Sequence, residues 1–456
     1  MSRIVIYNAL IVDDGRSCEG YVVVEDAVIT KVGTADEWRA MEVTETDCPD
    51  TMLIDAGGNM LIPGAIDEHV HFRDPGLTQK ADMATESIAA VAGGVTSFID
   101  MPNTRPATVT MEAVEAKMAR AAEVSVANYG FFIGATNDNL DQLLDADYTR
   151  VAGVKLFLGS STGNMLVDND STLDRIFAEV PALIAVHAES ESVIAASRER
   201  LLKECGGSIP VMRHPDVRPR EACVEATRHA VELAGRHGSR LHVMHISTAD
   251  ELEFFTPGPI EGKRITAETC PQYLTFDRGD FERFGARIKC NPAIKERSDR
   301  DALRVAVADG RIDVIATDHA PHLLADKEGD ALTAASGMPM VQFSLRAMLA
   351  LAADGVLTPE QVVEKMCNNP ARLYGIDRRG FVREGYYADL VIVDPDGCRD
   401  DVADAEVMSR CGWTPMAGRH LPAVVKMTMV NGKVVYRGGN RVDTSTRAAM
   451  PLKFNH

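Results

Sequence analysis

Between residues 59 and 376, short apolar runs alternate with helical stretches, and this alternation limits the fold more than any other feature of the chain. Eight runs read as strands: "GAIDEHVHF", "TSFIDMP", "NYGFFIG", "AGVKLFL", "ALIAVHA", "LHVMHIS", "RITAET" and "DVIATDH". Amphipathic stretches such as "TMEAVEAKMARAAEV", "REACVEATRHAVELAGRHG" and "RDALRVAVADG" lie between them, the pattern of repeated βα units. Eight such units predict an α/β fold, a (β/α)8 TIM barrel, for which about 250 residues is typical before insertions. A doubly wound open sheet competes, but no Gly-rich phosphate turn follows the first strand.

The two ends read differently. "SRIVIYNALIVDDG", "GYVVVEDAVITKVG", "YYADLVIVDPD" and "AVVKMTMVNGKVVYRGG" are β-rich, and Asn431-Gly432 marks a hairpin turn. Residues 1–58 and 377–456 are therefore expected to build one small composite β-sandwich domain, with the barrel at 59–376. "TPEQVVEKMCNNPARLYG" reads as the closing helix that hands the chain back. The 456 residues, 45% hydrophobic and 25% charged, are ordinary for a globular protein with a sizeable core. A formal charge of −19 argues against nucleic acid and acidic membranes as partners, but not against a small anion met by local cations. Nine cysteines without a C-x-x-C pair, no signal-peptide pattern at the start and no bilayer-length apolar run predict a cytoplasmic protein.

In a barrel, chemistry gathers at the C-terminal ends of the strands. Here those ends carry His69 and His71, Asn103, Lys155, His187, His245 and Asp318. His69 and His71 are two apart, so one face of a strand can offer both imidazoles to a metal; an ordinary strand with satisfied histidines is the plainer alternative. His187 taken alone reads as a core or surface histidine. In "LHVMHIS", His245 shares parity with Leu241 and Val243 and is the inward choice, leaving His242 to pack under a helix. Asp318 is either a helix cap or a carboxylate kept at an apolar strand end by a partner. Taken together, four histidines and an aspartate suit a divalent ion of zinc type. Lys155, desolvated inside a barrel, should lose its charge, and a neutral amine can take up carbon dioxide as a carbamate. Its alternative is a lysine that reaches solvent along the rim or pairs with an acidic neighbour.

The ordered motifs "DEHVHFRDPG", "MPNT", "GVKLF", "VHAE", "HVMHIST", "KCNPAIK" and "TDHAPH" resemble the amidohydrolase superfamily, and within it the dihydroorotases, over nearly the whole chain. The resemblance implies a barrel with a composite β-sandwich and two zinc ions bridged by a hydroxide. It implies His69 and His71 on the more buried ion, His187 and His245 on the more exposed one, Lys155 as bridging N6-carboxylysine, and Asp318 completing the buried site. Some relatives use an aspartate as the bridge, but "GVKLF" is closer to those that use the carbamate. Cobalt or manganese would suit the same ligands.

The implied reaction is reversible closure of N-carbamoyl-L-aspartate to (S)-dihydroorotate and water, a step of pyrimidine synthesis, with Asp318 as general acid and base. Arg73 would bind the ring carboxylate; its plain alternative is a surface ion pair with Asp74 or Asp67. Asn103, Asn291 and His322 are the further substrate candidates, and Ser336 and Gly337 match a backbone-contact loop loosely. "GSSTGNMLVDNDS" and "HLLADKEGDALTAASG" are loops that could neighbour the site. Two other readings stand beside this one: an allantoinase or hydantoinase-like (dihydropyrimidinase-like) cyclic amidase, and a non-catalytic homologue acting as a scaffold. The resemblance is also compatible with a homodimer and with association with aspartate transcarbamoylase.

Overall fold

The computed structural model describes residues 2–41, 51–159, 165–439 and 441–455. The N-terminal strands are β1 (Arg3–Asp13), β2 (Arg16–Glu25), β3 (Val28–Thr34), β4 (Thr51–Asp55) and β5 (Met60–Pro63). They share one nine-stranded sheet with β15 (Leu390–Asp394), β16 (Val424–Val430), β17 (Lys433–Arg437) and β18 (Arg441–Val442). β5 is the seam, parallel to β1 on one side and antiparallel to β15 on the other. Ile4, Val22, Leu61, Leu390 and Met427 belong to one buried cluster, so strands from both ends of the chain close over a common core. The Asn431-Gly432 hairpin forms as expected, with φ of 47° and 74°, the left-handed values a two-residue turn needs.

The eight expected barrel strands are all present. They are β6 (Ala65–Val70), β7 (Val95–Asp100), β8 (Asn128–Phe131) with its continuation β9 (Ile133–Gly134), and β10 (Val154–Phe157). β11 (Ile184–His187), β12 (Leu241–Val243), β13 (Ile265–Thr269) and β14 (Val314–Ile315) complete them. All pair in parallel, as two arcs, β6-β7-β8 and β9 through β14. The arcs meet at both joints. Ala152 N–H bonds to the Phe131 carbonyl (3.0 Å), and a parallel bridge joins Val70 to His319. The result is a (β/α)8 TIM barrel. The anticipated helices form at Met111–Val124, Arg220–His237 and Arg297–Asp309, the last two ending on Gly238 and Gly310 in left-handed conformation. The closing helix starts at Pro359 and passes through a π turn at Glu364–Asn368.

A buried polar knot fastens barrel to sheet. Asp389 accepts from Arg379, from the Asn128 amide (3.1 Å) and from Asn431 N–H (2.8 Å). Asn128 belongs to β8, while Asn431 is the hairpin turn of the other sheet. The last residues come back under the barrel, where Leu452 N–H bonds to the Tyr129 carbonyl (2.8 Å) and Phe454 joins the inner cluster. Asp389→Ala would strand the Arg379 charge and is expected to cost about 3–5 kcal/mol in unfolding free energy, measurable by denaturant titration.

Candidate metal centre

Buried clusters separate the two faces of the barrel strands. Val154, Leu156, Ile184, Val186, Leu241 and Val243 join the outer layer against the helices. Ile66, Ala185, Met244, Val314 and Ala316 fill the interior. Lys155 and His187 occupy inward positions of β10 and β11 by simple alternation. On β6 the pairing with β7 slips between Asp67 and Val70, so neighbours Glu68 and His69 both reach the interior. His71 then joins His69, ring centroids 5.5 Å apart.

The parity argument for His245 does not hold, although the residue does reach the centre. Leu241 and Val243 pack outward, and His242 is the inward residue: it lies 2.9 Å from Glu68 and 2.8 Å from Thr266, not under a helix. β12 stops at Val243, and His245 turns inward through a left-handed backbone with φ of 45°. Asp318 is presented the same way, φ 47°, beyond the end of β14. Such conformations are costly for non-glycine residues and persist where the surroundings enforce them.

The ring nitrogens converge. Asp318 Oδ1 lies 3.4 Å from His69 Nε2 and 3.0 Å from His71 Nε2, and the three side chains could hold one ion between them. His187 Nδ1 and His245 Nε2 are 2.7 Å apart and form a second pair of donors. Burial lowers the pKa of His69, His187 and His245, so each ring is neutral with a lone pair to give. Two outer nitrogens are taken: His69 Nδ1 meets both oxygens of Glu268 (3.0 and 3.1 Å) and His71 Nδ1 meets Asn103 Oδ1 (2.8 Å). His187 Nε2 lies 3.2 Å from Glu189 but makes no hydrogen bond among the described residues. Partners of this kind set the tautomer and turn the free nitrogen toward a metal. The donor set fits divalent metal binding.

Lys155 is fully buried, its Nζ 2.7 Å from Met244 Sδ and 5.0 Å from the centre of the Phe157 ring. Burial pulls its pKa down to about 8. It does not reach solvent along the rim.

All six expected ligands line one cavity, together with Arg73, Asn291, Ser336 and Gly337. Asn103 and His322 stand one layer back, behind His71 and Arg73 respectively. The ion-pair alternative for Arg73 is not what forms, because Asp74 pairs with Arg120 (3.2 Å) and Asp67 bonds Thr317 (2.6 Å). The "GSSTGNMLVDNDS" loop falls partly on residues 160–164, outside the described residues. A larger hollow beside Tyr7 and Trp38 on the N-terminal sheet carries, among the described residues, only Glu19 and Arg39 as charged lining. Sequence reasoning passes over Glu189 and Glu268. The period-2 spacing from Thr266 was the available signal for Glu268, and proximity to His187 in "VHAE" for Glu189.

Polar donors gathered at the C-terminal mouth of a parallel barrel mark the class of barrel enzymes. Residues 60–435 match the amidohydrolase family, and the chain belongs to it, a hydrolase of that superfamily. It is 35% identical to a dihydroorotase of Halobacterium salinarum, over 91% of this chain and 96% of that one. It is also 35% identical to an allantoinase of Streptomyces avermitilis, over 87% and 88%. Among solved structures, an L-hydantoinase (dihydropyrimidinase) from Arthrobacter aurescens superposes with a TM-score of 0.92 at 28% identity, covering 99% and 100% of the two chains.

Glu268→Ala frees the His69 ring, and metal affinity is expected to fall about 10- to 100-fold. Calorimetric titration of metal-free protein with zinc or cobalt measures this; an unchanged affinity in a folded variant would show that Glu268 does not hold the ring.

Proposed function

We infer that the protein is a dihydroorotase, interconverting N-carbamoyl-L-aspartate and (S)-dihydroorotate in the cytoplasm as a step of pyrimidine synthesis. The observation that carries this reading is Arg73. It is 2% exposed at the wall of the ligand cavity and, among the described residues, pairs with no carboxylate. Its Nη2 lies 3.2 Å from His322 Nε2, while Lys80 Nζ lies 3.1 Å from His322 Nδ1. A neutral imidazole has one acceptor nitrogen, so His322 satisfies only one of these two cations. A substrate carboxylate supplies what is missing, and a guanidinium fork suits it.

His69, His71 and Asp318 would hold one divalent ion and His187 with His245 a second, with Lys155 as N6-carboxylysine between them. Zinc, cobalt or manganese bound there would acidify a water and polarise the ring carbonyl. The chain's own groups do the rest. Arg73 anchors the ring carboxylate. Asn291 Oδ1, buried without a partner among the described residues, accepts a ring N–H. Ser336 and Gly337 line the same wall, with the Gly337 N–H held by the Lys289 carbonyl (2.9 Å). In the hydrolytic direction the water oxygen bonds to the ring carbonyl carbon and the C–N amide bond breaks. Asp318 takes the water's proton and delivers it to the leaving nitrogen. Closure is the reverse and releases water. With the expected ligands together in one cavity, the non-catalytic scaffold reading loses its support.

The fit to L-hydantoinase and the equal identity to an allantoinase favour a second reading, a cyclic amidase for uncharged rings. Steady-state assays separate the two: dihydroorotate is expected to be turned over faster than hydantoin or allantoin, and the opposite order overturns the proposal. Arg73→Met should raise the Michaelis constant for dihydroorotate about 10- to 100-fold, the worth of a lost charged hydrogen bond. Asp318→Asn should abolish turnover while metal analysis still finds an ion bound.

A further inference from the structure

The wall behind Arg73 contains two more buried cations that the reaction does not use. Lys327 is 5% exposed, and its ammonium donates to the carbonyls of Lys289 (3.0 Å), Ala335 (2.7 Å) and Gly337 (2.8 Å). Lys289 is 3% exposed and donates to the Ala334 carbonyl. Gly337 N–H bonds back to the Lys289 carbonyl (2.9 Å), so the two lysines lash the Ala334–Gly337 segment to the one leading into Asn291. Both segments end at the cavity, where Asn291, Ser336 and Gly337 line the wall. Lys327 also lies 5.7 Å from the centre of the Trp413 ring, whose indole N–H donates to the His322 carbonyl (2.8 Å).

Among the described residues, neither lysine has a carboxylate within ion-pair distance. Asp326 and Asp330, the acidic groups that act on them through space, are only half-buried. Carbonyl dipoles satisfy three ammonium hydrogens of Lys327 and one of Lys289 but leave the net charges uncompensated; burial draws Lys327 down to about 7 and Lys289 to about 8, so both carry their charge below about pH 7. A leucine or methionine could pack there without that penalty. The field of such charges is weakly screened across a low-dielectric wall, and it acts in a chain whose overall charge is −19.

We propose that Lys289 and Lys327 are specificity-determining residues: their buried, uncompensated ammonium groups make the cavity select cyclic amides that carry a negative charge over neutral rings of the same shape. This deepens the dihydroorotase reading and rests on it. The lysines do not touch substrate; they hold the wall and set its potential.

The test compares dihydroorotate with its neutral carboxamide, the same ring without the charge, in the metal-loaded wild-type enzyme and in Lys327→Met. The kcat/KM ratio of acid to amide is expected to fall about tenfold in the variant, because the potential at the wall that favours the anion is lowered for one substrate only. An equal loss on both substrates would mean that Lys327 only positions the loop, and an unchanged ratio would mean that its charge is irrelevant; either overturns the proposal while leaving the dihydroorotase reading standing. If wild-type enzyme opens neither ring, or prefers allantoin or hydantoin, the dihydroorotase reading itself fails. Lys289→Met, read by the same ratio, serves if Lys327→Met does not fold.

Discussion

The site depends on one carboxylate inside the barrel. Glu268 accepts from His69 Nδ1 with both oxygens and from the backbone N–H of His245 (2.9 Å). One side chain on β13 thereby holds donors that arrive from β6 and from the segment after β12. Burying this carboxylate raises its pKa strongly, and hydrogen bonds are what make its burial tolerable. Below it lies a second fully buried layer, where Glu68 bridges His242 and Tyr374 (2.9 and 2.8 Å). Beneath the mouth the barrel interior combines this polar layer with the apolar cluster of Ile66, Ala185 and Met244, so directed bonds and apolar packing both order it.

Such an interior requires a rigid frame. The parallel strands supply it, with their outer faces packed against the helices in a continuous apolar layer. The knot of Asp389, Arg379, Asn128 and Asn431 carries that rigidity into the composite sheet, so the two termini are bound to the barrel by charge-assisted hydrogen bonds as well as by β5 and β15. The returning C-terminal segment plugs the interior from below with Leu452 and Phe454.

Much of this was legible in the residues, and the limits of that legibility have identifiable causes. The eight strands showed as apolar runs because parallel strands are covered on both faces. The ligand types stood at their ends because a barrel opens its chemistry there. What misled was strict alternation. It assigned His242 to the helix layer and justified His245 by the parity of Leu241 and Val243, whereas the strand ends two residues early and a left-handed residue turns the chain. The slip on β6 that brings Glu68 and His69 to one side leaves no mark in composition either.

By itself, the sequence determined the barrel, the β-rich ends and the residue types that stand at the strand ends around one cavity, because hydrophobic period and residue chemistry are local properties. Only the tertiary structure decided which nitrogen each histidine presents, that Asn103 stands behind His71, and that Arg73, Lys289 and Lys327 lie buried without carboxylate partners among the described residues. Those facts depend on groups up to 249 positions apart meeting in a space from which water is largely excluded. No local pattern encodes such meetings, because burial and partnership are properties of the assembled fold.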